Sequence, residues 1–178
     1  QENKGEIFDD GWSYVGGNPD GDVTIVEFLD YRCGFCKRAF PAVEELVASD
    51  GNIRLIVKEF PILGPASDLA ARYAMATKRI EGDDAYKSVH DTMMGLKADL
   101  NERTLAMLSA EFDLNHEAIM AEMETDAVRD AIAANRALGA RLSINGTPSF
   151  IMGENFVRGF VELEQMRAIV EDIRAEQS

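Results

Sequence analysis

Asp30-Tyr31-Arg32-Cys33-Gly34-Phe35-Cys36-Lys37-Arg38 holds the only two cysteines of the 178-residue chain and spaces them Cys-x-x-Cys. The apolar run Val23 to Leu29 precedes this stretch, and a segment with apolar residues at Ala39, Phe40, Val43, Leu46 and Val47 follows it. The run reads as a buried strand and the segment as an amphipathic helix. The cysteines then stand where strand gives way to helix. A sulfur in the first turn of a helix faces unpaired backbone N–H groups and the positive end of the dipole, and both favour thiolate over thiol. Cys33 is thereby placed as a nucleophile.

Three other readings of the pair carry less. As a structural disulfide it would close so short a loop that the chain-entropy gain is roughly 2 kcal/mol, against about 4.7 for a 100-residue loop. A zinc or iron–sulfur site wants four ligands, and beyond the two cysteines the chain offers only His90 and His116, far apart in sequence. Two inert thiols do not suit a polar, basic site at a helix start. Thiol-disulfide chemistry is the reading that remains, with no metal and no cofactor expected. Arg32, Lys37 and Arg38 put positive charge there; they serve either to stabilise a thiolate or as surface decoration.

The length suits one good core, or one domain carrying an insertion. A net charge of −14 argues against binding nucleic acid or anionic lipid, since both would be repelled. No apolar run approaches the ~18 residues of a membrane helix, and the start does not look like a signal peptide. Because the chain begins at Gln1 without a methionine, a processed product is expected, with a signal, anchor or oligomerisation segment upstream of Gln1.

Residues 1 to 22 are polar and turn-rich except Trp12 to Val15, which alternate like a short edge strand. Asn18-Pro19-Asp20-Gly21-Asp22 lacks the closing acid of a calcium loop and reads as a turn. Val23 to Leu29 is apolar on both faces except Glu27. A carboxyl inside a sheet must be protonated, paired or working. Lys58, in the strand expected over Ile53 to Phe60, is its partner if those strands are neighbours. Pro41 should kink the helix after the site early.

From Pro65 to Leu142 the pattern is helical throughout, with stripes such as Leu69, Tyr73, Ala76 and Ile80, and caps at Asp83, Asn101, Asn115 and Thr125. Six of the eight methionines fall here, mostly on or beside the stripes, where core packing competes with copper(I) ligation. Ser149 to Met152 and Asn155 to Arg158 read as a hairpin, and Glu162 to Ala175 as a closing amphipathic helix.

Val-Glu-Phe-Leu-Asp-Tyr-Arg-Cys-Gly-Phe-Cys-Lys-Arg, followed far downstream by Asn145-Gly146-Thr147-Pro148-Ser149-Phe150, resembles the thioredoxin-fold disulfide oxidoreductases of the DsbA type. The likeness runs from about Gly11 to the last helix and is nearest to the branch that includes suppressor-of-copper-sensitivity C and outer-membrane-linked relatives. It implies an α/β thioredoxin fold over residues 1–64 and 143–178, interrupted by an all-helical insertion over 65–142. It also implies catalysis by Cys33 with Cys36 as the interior cysteine, and a cis Pro148 that turns the backbone of Thr147 toward an extended substrate. Gly34, Phe35, Thr147 and Pro148 are then the substrate-binding residues. Glu27, tuned by Lys58, is expected to relay the proton of Cys36.

The resemblance further implies a bacterial periplasm, with outer-membrane association in some relatives. Partners would be unfolded or thiol-containing proteins and a membrane redox partner. Gly34-Phe35 departs from the Pro-His pair of the DsbA oxidase and weakens the case for a strong oxidant, so oxidase, isomerase and reductase directions stay open. The competing class is a copper(I)-binding thiol protein or holdase without turnover.

Overall fold

Two apolar runs, Val23–Leu29 and Ile53–Glu59, lie side by side and parallel in the computed structural model, which describes residues 2–178; Gln1, in the polar leader, lies outside the described residues. In chain order the elements are α1 (Lys4–Phe8), β1 (Tyr14–Gly17), β2 (Val23–Leu29), α2 (Gly34–Asp50), β3 (Ile53–Glu59), α3 (Pro65–Glu81), α4 (Asp83–Gly95), α5 (Glu102–Glu111), α6 (His116–Glu122), α7 (Asp126–Arg141), β4 (Ser149–Met152), β5 (Asn155–Arg158) and α8 (Leu163–Gln177). The sheet order is β1-β3-β2-β4-β5. Only β2 and β3 run parallel; the other three pairings are antiparallel. Strands buried on both faces need cover on both, which is why the parallel pair and the fully buried β4 lie inside the sheet and the more exposed β1 and β5 form its edges.

Because side chains alternate along a strand, the two faces of β2 enter different apolar clusters. Ile25 and Leu29 join α2, α3, α4 and α8 through Cys36, Val43, Tyr73, Met93 and Val170. Val26 and Phe28 join Ile7 of α1, Phe60, Leu138 of α7 and Ile151. The first cluster runs without a break from the sheet into the helices between β3 and β4. Met75, Met93, Met94 and Met123 are buried inside it, as core packing requires.

Most expected elements fall where the sequence pattern puts them. The β4–β5 hairpin has the expected bounds, and the Asn18 to Asp22 segment is a turn closed by the Gly21 amide on the Asn18 carbonyl (2.9 Å). Asn101 and Asn115 cap α5 and α6, accepting from the amides of Thr104 (2.9 Å) and Ala118 (3.1 Å). Asp83 instead begins α4, with Gly82 as its cap, while Thr125 holds the N-cap position of α7 as expected but turns its hydroxyl back to the Glu122 carbonyl (2.7 Å). Helix α1 was not expected: five residues inside an acidic leader carry too little apolar periodicity to announce a helix. Gly17, at φ +68°, ends β1 where a Cβ would stand 2.4 Å from the Ile53 carbonyl oxygen, so only glycine fits.

Candidate active site

Cys33 is the N-cap of α2, a 17-residue helix with no acidic residue in its first turn. An acid there would compete for the free amides; without one, the Cys33 sulfur takes the amide of Cys36 at 3.3 Å. The Cys33 thiol also meets the carbonyl oxygen of Thr147 at 3.3 Å. Thr147 precedes a cis Pro148, as expected, and its carbonyl contact sets the loop before β4 directly against Cys33. Cys33 keeps 7% of its surface and Cys36 none. Burial pushes the Cys36 thiol far above its usual range, and the nearby charges of Cys33 and Glu27 push it further. One sulfur is therefore reachable and faces helix amides, while the other holds its proton tightly.

The end of β2 is fastened to the rest of the site by Asp30, which is buried. Its carboxylate accepts from the amides of Arg32 (2.7 Å), Ile62 (2.9 Å) and Leu63 (3.1 Å) and from the Ser67 hydroxyl (2.8 Å). Four donors on one carboxylate offset its burial and hold the Cys33 turn to the start of α3. Gly34 is exposed beside Phe35, which is 57% exposed with the Arg38 guanidinium 5.6 Å from its ring. Ile62 and Leu63 are also exposed, and Leu63 gives its carbonyl to Arg32 (2.6 Å). Cys33 is thus bordered by apolar side chains that water does not favour.

Glu27 lies inside the sheet as expected, but Lys58 is not its partner. The register pairs Glu27 with Val57 and Phe28 with Lys58, so alternation puts Lys58 on the opposite face. There its ammonium donates to the Glu6 carbonyl (2.7 Å) and forms an ion pair with Asp10, the side chains of Lys58 and Asp10 both being buried. Burial works to raise the Asp10 carboxyl, but the hydrogen bonds from Lys58 and Ser13 outweigh it and hold the carboxyl low. Glu27, left without that cation, is raised to about 8, first by burial and then by the negative charges of Glu44 and Glu59, with only Lys87 opposing.

A buried network on the α2 side of the sheet was not read from the sequence. Glu59 accepts the hydroxyls of Tyr31 (2.7 Å) and Tyr86 (2.6 Å) on one oxygen, while its Oε2 is buried without a partner. Burial raises this carboxyl to about 7 against the pull of the two hydroxyls. His90 Nδ1 stands 2.8 Å from the Tyr31 oxygen. A tyrosine has one proton to give, so donating to Glu59 leaves His90 to carry its own proton on Nδ1. Burial keeps that imidazole neutral, down to about 3. The available signal was Tyr31, inside the quoted stretch; its partners lie 28 and 59 positions away.

The family model described as Thioredoxin matches residues 10–172. The chain belongs to the thioredoxin family. This thioredoxin-family chain is 40% identical to a thioredoxin-like oxidoreductase from Silicibacter pomeroyi DSS-3, covering 97% of this chain and 98% of that one at a TM-score of 0.91. The thiol-disulfide exchange protein alpha-DsbA2 from Wolbachia pipientis is 28% identical, with 97% and 92% covered and a TM-score of 0.89. A Na(+)/H(+) antiporter, NhaA 1 from Salinispora arenicola, is 30% identical over 169 residues, 88% of this chain. The thioredoxin-family chain spans only 24% of that antiporter, so it matches about a quarter of the curated relative. The DsbA-type resemblance and the thioredoxin fold with helices between β3 and β4 both hold.

Proposed function

We propose that the chain is a thiol-disulfide oxidoreductase acting on thiol-containing proteins through Cys33 and Cys36. The observation that carries this is the asymmetry of the pair: a reachable Cys33 sulfur at a helix N-terminus, against the Thr147 carbonyl, beside a fully buried Cys36. In the oxidising direction a substrate thiolate attacks Cys33 of the disulfide, the Cys33–Cys36 bond breaks, and Cys36 leaves with the electron pair. A second substrate thiolate attacks the substrate sulfur of the mixed disulfide and releases Cys33. Substrate leaves as a disulfide and the protein as a dithiol. The reductive direction runs the same bonds in reverse.

Cys36 cannot remain a thiolate in its buried site, so a proton must reach it as it leaves. Glu27, protonated at neutral pH and near enough for its charge to act on Cys36, is the proton holder in this scheme. Lys58 takes no part, being committed to Asp10. Gly34, Phe35, Thr147 and Pro148 form the surface that meets the substrate chain, with the Thr147 backbone, whose carbonyl meets the Cys33 thiol in the dithiol form, placed to pair with an extended segment. An oxidising compartment such as the bacterial periplasm and a membrane redox partner complete the cycle in this reading.

The test is equilibration of the Cys33/Cys36 pair with glutathione. We expect a single two-electron potential; a value near ~−120 mV makes the protein a disulfide donor, one near ~−270 mV a reductant. A pair that does not equilibrate would overturn the enzymatic reading.

A further inference from the structure

The chain has 32 acidic side chains and 18 basic ones, so a surface cation readily finds a carboxylate. Among the described residues ten of the 18 do so. Three of those that do not, Arg32, Lys37 and Lys97, line one cleft of about 570 Å³, whose other walls include Tyr31, Pro65 and Leu100. Arg32 is the residue before Cys33, so the cleft opens beside the nucleophile. Asp99 is the one acid in its lining.

Two of these charges, Arg32 and Lys37, are held in place by neutral groups. Arg32 donates to the Leu63 carbonyl (2.6 Å). Lys37 donates to the carbonyls of Met93 (3.3 Å) and Leu96 at the end of α4, and Lys97 is exposed. Carbonyls fix the position of a cation without cancelling its charge, so the cleft carries oriented positive charge in a protein of net charge −14. Capping α4 accounts for Lys37 alone. It leaves unexplained why Arg32 and Lys97 converge on the same hollow with no acid attached. A concave site with fixed, uncancelled cations is prepared for carboxylates, because their binding costs little reorganisation.

We infer that this cleft receives an acidic segment of the polypeptide whose cysteine reacts at Cys33, its carboxylates meeting Arg32, Lys37 and Lys97. This rests on the exchange reading and adds a substrate preference to it. The preference runs against the field of the whole molecule, which attracts cations and repels anions. At about 0.15 M ionic strength the Debye length is about 8 Å, so the distant carboxylates are screened while contact charges in the cleft still act.

The experiment uses three synthetic nine-residue peptides with one cysteine flanked by three glutamates, three serines or three lysines, each supplied as its mixed methyl disulfide. The reduced protein gives two electrons: Cys33 thiolate displaces one sulfur, Cys36 then closes onto Cys33, and peptide thiol and methanethiol are released. Release of peptide thiol is followed at 0.15 M and 0.5 M salt. The glutamate peptide should react roughly 3- to 10-fold faster than the serine peptide at the lower salt, with the lysine peptide slowest. The advantage should shrink at 0.5 M and should vanish or reverse in Lys97→Glu, an exposed position. Equal rates for the three peptides, a faster lysine peptide, or a glutamate advantage untouched by Lys97→Glu would overturn the cleft while leaving the exchange reading intact. Absence of reaction with all three overturns both.

Discussion

Glu27 has only the charge of Lys87 to favour its ionisation, against burial and the carboxylates of Glu44 and Glu59. A group raised to about 8 is mostly protonated at pH 7 and can hand a proton to Cys36 as that sulfur departs. Above pH 8 it is ionised, has no proton to give, and its charge opposes a second anion on Cys36. The rate at which the oxidised protein forms a mixed disulfide should therefore break downward near pH 8, once corrected for the thiolate fraction of the attacking thiol. Glu27→Gln should remove the break and slow the step at pH 7 by roughly 10- to 100-fold. Stopped-flow pH profiles of both proteins decide this, and identical profiles would reduce Glu27 to a structural carboxyl. Lys58→Met should leave the position of the break in place, because Lys58 faces the other side of the sheet.

Helix α7 covers the second face of the sheet at very short range, and Gly139 is what allows it. A Cβ at that position would lie 2.4 Å from Phe60 Cε1 and 2.6 Å from Cζ. The Phe60 ring cannot swing away freely, since it packs edge-on against buried Phe28 with centroids 5.4 Å apart. Alanine is normally favoured over glycine inside a helix by about 1 kcal/mol. Here the overpacking should win, so Gly139→Ala is expected to destabilise the fold by about 1 to 3 kcal/mol in urea unfolding. A gain in stability would mean that α7 can shift outward at little cost. Elements of this kind were legible in the sequence to different depths. The strands, the hairpin and α8 showed because their periods are carried by neighbouring residues. The Cys33–Cys36 site showed because a short spacing defines it. The Asp30 anchor, the Tyr31–Glu59–His90 network and the Lys58–Asp10 pair did not show, since each joins residues distant in the chain. Only the pairing register, and with it the face of each strand, decides which of them meet.

Across the whole molecule, three buried titratable groups set opposing demands on pH. Glu27 and Glu59 are raised from 4.5 to about 8 and about 7, so the folded protein keeps protons that the unfolded chain releases above pH 4.5. The stability they contribute is complete below pH 4.5 and is lost as pH rises through 7 and 8. His90, lowered from 6.5 to about 3, acts in the other sense: its contribution is present above pH 6.5 and is lost as pH falls toward 3. Between pH 4.5 and 6.5 two protons on the carboxyls outweigh one on the imidazole, and above 6.5 only the carboxyls count. The dithiol protein should therefore be most stable near pH 4.5 to 5 and lose several kcal/mol by pH 9, at about 1.36 kcal/mol per proton per pH unit. Repulsion within a chain of net charge −14 also weakens the fold as pH rises, but salt screens that repulsion and reaches a buried carboxyl far less. Urea unfolding of the reduced protein from pH 4 to 9 in 0.5 M salt should keep most of the alkaline loss, and Glu27→Gln should remove most of it, because His90 offsets much of what Glu59 alone contributes. A stability curve that is flat in high salt would assign the pH dependence to surface charge and leave both carboxyls ionised in the fold.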